Sequence, residues 1–389
     1  MYRIGKEEIE AVGRVIEKKN FFKINDALQE AMHVEEDIQH IFEVKHAIFM
    51  TSGHAALVSA LVGMGIGPGD EVIVPAYTYI AAAMAVVAAG AVPVIAEIDN
   101  TLTLDAADVE KKITARTKAV IPVHIQGFPS NMDKIMGVAK KYNLLVLEDA
   151  CQADGGAYHG QRLGTIGEAG ALSFNYYKLI TCGEGGALLT NDDKIFERAL
   201  IYHDSSAVSF FGDQLSNATT PVFCGNEYRS NDITAAILRV QLGRMEGILR
   251  DNRKNKKILM EELAPYLDFT PSNDLAGDCA TTLSVCFDSE AKARRFAQSE
   301  GVYGVLPIDT DKHVYKNWAA ILEKRGAFHP AMDPFKMEAN RGHVPDYTKD
   351  MCPKTLDILS RNVYIGINPD AGEEQLEHTI SHLKNAAKG

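Results

Sequence analysis

The sequence predicts an α/β protein: a mostly parallel sheet with helices on both faces, followed by a smaller C-terminal α+β portion. Three observations carry that prediction. From about residue 46 to about residue 250, short β-branched runs alternate with helical segments. Those runs show little apolar–polar alternation, the pattern of strands buried on both faces. Near residue 250 the alternation gives way to a helical connection with only two further strand candidates. The expected division is a large domain over 1–250, with a helical segment at its N-terminus, and a small domain over 251–389.

Taken in order, residues 1–45 read as mostly helical, ending on the apolar spacing of IQHIFEVK. Strands are expected at AIFM, EVIVPA, VPVIAEI, KAVIPVH, LLVLED, GALSF and GALLT. Helices are expected between several of them, at AALVSALVGMG, YIAAAMAVVAAG and NMDKIMGVAKKY. Right-handed crossovers then gather loops at the carboxyl ends of the strands, where such sheets bind ligands. The small portion has strand candidates at TTLSVCF and NVYIGI.

Composition narrows the function. The chain has 389 residues, 46% of them hydrophobic, enough for a sizeable core without cross-links. Forty basic against 52 acidic side chains give a net charge of -12, which repels a nucleic-acid backbone. The dense basic run RDNRKNKK, Arg250 to Lys257, reads as the solvated face of a helix. Six cysteines without a CxxC pair or metal-ligand spacing read as reduced thiols of a cytoplasmic protein, with no metal site. The N-terminus lacks an apolar signal core, and no charge-free apolar stretch approaches about 18 residues, so no membrane location is expected.

Four local patterns carry chemistry. In EAGALSFNYYKLITCGEGGALLTN, Lys178 stands between two β runs and five residues before GEGG. A lysine desolvated beside a ligand can form a Schiff base with a carbonyl, although most loop lysines are simply solvated. In LLVLEDACQADGG a buried strand ends in Glu148 and Asp149. An aspartate there can hold a proton on a pyridine nitrogen and make the ring an electron sink, or it can order a loop. In MTSGHAALVSAL the residues Thr51, Ser52 and Gly53 precede a strong helix, which makes a phosphate cup or a plain cap. In VPAYTYIAAA an aromatic at a strand end can stack on a flat ring or pack in the core. Cup, aromatic, acid and lysine occur in the order expected of a fold-type I pyridoxal-phosphate (PLP) enzyme.

From about residue 20 to the C-terminus the chain resembles the DegT/DnrJ/EryC1/StrS sugar aminotransferases. The motifs are KHAIFMTSGHAAL, GDEVIVPAYTYIA, VLEDACQADGG, SFNYYKLITCGEGG and NEYRSNDITAAILRVQL. The resemblance implies that Lys178 carries the cofactor and shuttles a proton. It also implies that Asp149 pairs with the pyridine nitrogen and Gln152 bonds the phenolic oxygen. Ala150 would pack on one ring face and Tyr79 on the other, with Ser173 and the backbone of Gly53 and His54 on the phosphate. It further implies a homodimer with shared active sites, closed by a partner segment around Asn226 to Arg229. The amino donor would be glutamate or glutamine and the acceptor a keto or aldehyde sugar.

This chain departs from the family pattern at His54, where threonine is usual, and at Glu227, where asparagine is usual and Asn226 stands one residue earlier. The stretch from His313 to Cys352 resembles the same region in aminases acting at C8 of a 3-deoxy-octulosonate sugar acid, a step of lipopolysaccharide biosynthesis. A substrate carboxylate would then need a cationic partner, with Arg229, Arg325 and Arg341 as candidates and His313 and His329 beside them. Nucleotide-sugar or cyclitol aminotransferases are the alternative. A sugar dehydratase of this family would replace the lysine by histidine, and a desulfurase would need a mobile nucleophilic cysteine. A regulator on the same scaffold would not need the lysine–aspartate pair.

Overall fold

A computed structural model of the chain describes residues 3–19, 21–23, 29–210 and 215–388. The first two helices are α1 (Lys6–Lys18) and α2 (Glu30–Phe42). The alternating region follows as β1 (His46–Met50), α3 (Gly53–Gly63), β2 (Glu71–Pro75), α4 (Ala81–Ala88), β3 (Val92–Ala96) and α5 (Ala106–Lys112). Next come β4 (Thr117–Val120), α6 (Met132–Tyr142), β5 (Leu145–Asp149) and a short hairpin of β6 (Ala157–Tyr158) and β7 (Gln161–Arg162). The region closes with β8 (Ala169–Ser173), β9 (Gly186–Thr190) and α7 (Asp193–His203).

The large sheet has the order β1-β9-β8-β5-β4-β2-β3. Every neighbouring pair from β8 to β3 is parallel, and β9 alone runs against the rest. Every residue of β2, β8 and β9 is buried, as the runs of Val, Ile, Leu and Ala predict for strands covered on both faces. The parallel α/β expectation therefore holds. Capping side chains start the helices cleanly: Asn131, Asp192 and Asn231 each accept a backbone N–H of the turn they open.

Helix α8 (Asp232–Leu263) is 32 residues long, which extends it over about 48 Å. Residue 250 lies inside it, so a division there cuts a continuous helix. Its buried Asn252, Asn255 and Lys256 correct the reading of RDNRKNKK as a solvated face. Lys256 forms an ion pair with buried Asp278, and Arg253 donates to the Asp278 carbonyl at 2.8 Å. One side of that run holds the segment 277–279 that leads into β11.

The small sheet comprises β10 (Asp268–Phe269), β11 (Thr282–Cys286) and, after α9 (Glu290–Ala297), α10 (Ala319–Leu322) and α11 (Pro353–Ser360), the strand β12 (Asn362–Gly366); α12 (Glu373–Lys388) follows. One apolar cluster runs through both parts, from Ile48, Val74 and Leu147 to Trp318, Leu283 and Val363.

Candidate functional site

The site lies at the carboxyl edge of the large sheet, where Met50 and Ser173 flank Gly186 in register. Ser52 caps α3 by accepting the Ala55 N–H at 3.1 Å, leaving the Gly53 and His54 amides for a ligand at the helix N-terminus. Two glycines make that cup possible by close approach. A Cβ on Gly53 would stand 2.6 Å from Cys151 Sγ and 2.9 Å from Ser173 Cβ. A Cβ on Gly186 would stand 2.3 Å from the Ser52 carbonyl carbon and 2.4 Å from the Gly53 nitrogen. The last glycine of GEGG thus lets β9 pass under the cup.

Strand alternation gives the two acids of LLVLED opposite fates. Glu148 is fully buried and organises the 164–167 loop, accepting the Gly164 N–H at 3.0 Å and the Gly167 N–H at 2.8 Å beside His124. Asp149 is 5% exposed at the strand end; one oxygen accepts the Cys151 N–H at 3.1 Å and leaves the other for a ligand. The same alternation corrects the expectation for Ala150. Its side chain is fully buried and faces Gly164 on the Glu148 side, so it cannot pack on a ring above Asp149. Cys151, on the Asp149 side, lies beside Gly53 and Ser173.

Gln152 accepts the Gln126 N–H at 3.1 Å through Oε1. That contact turns its amide N–H₂ outward as a donor, the orientation a phenolate oxygen needs. The sequence reading missed Gln126. It sits at φ 54°, ψ 20°, a left-handed conformation uncommon for a residue with a side chain. Thr281 and Thr282, which run into β11, hold it through bonds of 2.8 and 3.1 Å. The small sheet therefore positions a residue that orients Gln152.

Lys178 lies half-buried in the turn from β8 to β9. The turn is tied by Phe174 N–H to Gly185 at 2.8 Å, Tyr176 N–H to Gly183 at 2.9 Å and Asn175 to Glu184 at 2.9 Å. The turn joins Ser173 to Gly186, which are paired in register, so Lys178 stands at the same sheet edge as the cup. Burial holds His54 and His313 below the usual imidazole value; Asp149 opposes the shift at His54, whereas Lys312 and Lys178 add to it at His313.

Of the two tyrosines in VPAYTYIAAA, Tyr77 is buried in the core and Tyr79, 42% exposed, stands at the mouth. His313 lies 5.6 Å from the Tyr79 ring and the Lys312 ammonium 5.5 Å from it. Backbone bonds from Thr78 to His313 and from Ile80 to Lys312 fix the 310–315 segment there. Lys312 is a second residue missed in the sequence, since one lysine in a long loop gives no signal.

The structure does not bring Arg325, His329 or Arg341 to this edge. Gly326 packs near Val87 at the end of α4, and Asn340 bonds Gly90 and Gly69, ahead of β3 and β2. These contacts belong to the amino edge of the sheet, opposite Lys178. Arg325 and Arg341 are instead exposed and paired with Glu323 and Glu338. Arg229 is beside the cup, bridged to Met50, but its guanidinium is held by Asp204 and Glu227. Asn226 is exposed and donates to the Tyr202 hydroxyl at 2.6 Å.

A parallel sheet with a phosphate cup, an acid, an amide donor and a lysine at one edge defines the fold-type I class of PLP-dependent enzymes. Residues 2–301 match the DegT/DnrJ/EryC1/StrS aminotransferase family, and the chain belongs to it. It is 46% identical over 204 residues to GDP-perosamine synthase of Caulobacter vibrioides, covering 52% of this chain and 53% of that one. It is 40% identical over 206 residues to dTDP-3-amino-3,4,6-trideoxy-alpha-D-glucose transaminase of Streptomyces venezuelae, covering 52% of each. These matches span about half the length of the curated relatives. Over 98% of this chain and 95% of the other, its fold is similar to DesV of S. venezuelae in complex with a ketimine intermediate, at TM-score 0.78 and 27% identity.

Proposed function

We propose that the chain is a PLP-dependent sugar aminotransferase, moving an amino group from glutamate or glutamine to a keto or aldehyde carbon. The observation that carries this reading is the gathering of Lys178, Asp149, Gln152, Ser173 and the Gly53–His54 cup at one sheet edge. The residues fit the cofactor: Asp149 has a carboxylate oxygen to spare, Gln152 a free amide donor, and Gly53 and Gly186 keep the cup open. Bound there, PLP supplies an electron sink for the amino-bearing carbon. Gly53, His54 and Ser173 would hold its phosphate, Asp149 its ring nitrogen and Gln152 its phenolic oxygen. Tyr79 and Cys151 would flank the ring, and Lys178 would bind it covalently. When free, Lys178 Nζ takes the proton from the amino-bearing carbon and later returns one.

The working unit in this reading is a cytoplasmic homodimer, with Asn226 reaching the neighbouring site. The acceptor carries an anionic group met by Lys312 and His313 beside Tyr79. A 3-deoxy-octulosonate aminated at C8 fits that requirement through its carboxylate. The curated relatives, named for GDP- and dTDP-linked sugars, support a nucleotide-sugar acceptor, whose phosphates would meet the same cations.

The test is the visible absorbance of PLP-loaded protein mixed with L-glutamate, then separately with L-glutamine. Loss of the band with one donor, restored by either acceptor class, identifies the reaction and its acceptor. No change with either donor defeats the aminotransferase reading in favour of a regulator on the same scaffold.

A further inference from the structure

Helix α12 carries two histidines, His378 and His382, one turn apart. The cysteine spacing points to no metal site, but imidazoles at i and i+4 on one helix face are a separate signal, because both rings can reach one ion. The helix is anchored by buried Ile380 and Leu383 and by the Lys384 ammonium, 2.7 Å from Glu262 of α8. His382 lies against the turn that follows α9.

That turn sets one of the two rings. His382 Nδ1 donates to the Glu300 carbonyl at 3.0 Å, since the carbonyl can only accept. Gly301 packs on the same ring: a Cβ there would meet Nδ1, Cγ and Cε1, the last at 2.6 Å. Its φ of 76° also favours glycine. With Nδ1 carrying the proton, neutral His382 presents Nε2 as a lone pair. A backbone carbonyl on the other ring nitrogen is the usual way a metal-ligating imidazole is oriented.

The second nitrogen stands at ligand spacing. His378 Nε2 is 3.1 Å from His382 Nε2, and the ring centroids are 4.3 Å apart at 63°. Two imidazole nitrogens bound at about 2.0–2.1 Å to one ion, about 90–110° apart, are separated by roughly 2.9–3.4 Å. The observed separation falls inside that window, so an ion can be held with little movement of either ring. The contact as it stands is a hydrogen bond from His378 Nε2–H to His382 Nε2. On binding, His378 gives up its Nε2 proton to water and takes one on Nδ1, so the neutral ring changes tautomer and no net charge is lost.

His378 is exposed, and no third histidine, cysteine or carboxylate joins the pair among the described residues. A closed structural zinc site needs four protein ligands. Two imidazoles with water in the remaining positions suit ions that favour octahedral or tetragonal nitrogen–oxygen coordination. We propose that His378 and His382 form a two-point surface site for a divalent ion of the nickel and copper class. The site lies on α12 and is independent of the aminotransferase reading.

The experiment titrates the untagged, PLP-loaded full chain with nickel chloride in a calorimeter at about pH 7.5, where imidazole is mainly neutral. Saturable binding of one nickel per chain is expected. His378→Ala and His382→Ala should each weaken it at least about tenfold. His378 is exposed, so its variant should keep the wild-type melting curve and report the ligand alone. Gly301→Ala, which displaces the His382 ring without removing a ligand, should weaken binding as well. No saturable binding to the wild type, or equal binding by wild type and His378→Ala, overturns the proposal. The pair is then only a hydrogen-bonded clasp between α12 and Glu300.

Discussion

The floor of the site and its roof are built by different means. The floor, made by the ends of β1, β5, β8 and β9, is set by backbone contacts so close that Gly53 and Gly186 admit no side chain. The roof, the 310–315 segment over Tyr79, is joined by a few backbone bonds and offers Lys312 and His313 to solvent and ligand. That contrast predicts that chemistry and selectivity are separable in this fold. Changes in the floor should act on turnover and cofactor retention, and changes in the roof on the choice of acceptor.

The sharpest test of the floor is Lys178→Ala. Turnover should fall by at least roughly a thousandfold with the melting temperature little changed, because the cup and Asp149 persist. Steady-state rates with a melting curve decide it, and near-normal turnover breaks the comparison. Next, Gly186→Ala drives a methyl into the Ser52 carbonyl and should cost about 1–3 kcal/mol with loss of bound PLP, read by denaturant unfolding and absorbance. In the roof, Lys312→Ala should raise KM for an acidic acceptor about tenfold and leave the reaction with the amino donor intact. A change in both half reactions would place Lys312 in the floor instead.

Asp154 gives a smaller effect with a definite sign. Its folded value lies above its unfolded one, so the folded state binds more protons between the two. The contribution of this group is fully present below the ordinary aspartate value and is lost as pH rises through the folded value. Stability should therefore decline with pH across that window by up to about 1.4 kcal/mol per unit, and Asp154→Asn should remove the slope. Smallest of all, Arg341→Ala at the far edge should change turnover by less than about twofold, since it breaks only an exposed ion pair.

Much of the floor was readable from the chain because its signals are local. β-Branched runs mark the strands, and a small polar residue before an apolar run marks α3 and its cup. For Ala150 the two-residue period of the strand points to the Glu148 side, beside Gly164, where the family motif points to the ring. The continuity of α8 through residue 250 is legible only in the absence of a breaker between Asp232 and Leu263. Gln126 escaped because nothing in its side chain announces a left-handed backbone. The arginines of the 313–352 stretch could not be placed, since which edge of the sheet a long loop visits depends on contacts such as Asn340 with Gly90.

The position of β9 also orders events in time. Among the described strands, β1 pairs only with β9, although 135 residues separate Met50 from Gly186. A chain emerging from the ribosome thus carries its cup sequence long before the strand that supports it exists. Until residues 186–190 have been made, β1 has no neighbour and Ser52 nothing beneath it. The cup and the lysine turn are completed by the same short segment, because β9 pairs with β1 on one side and β8 on the other.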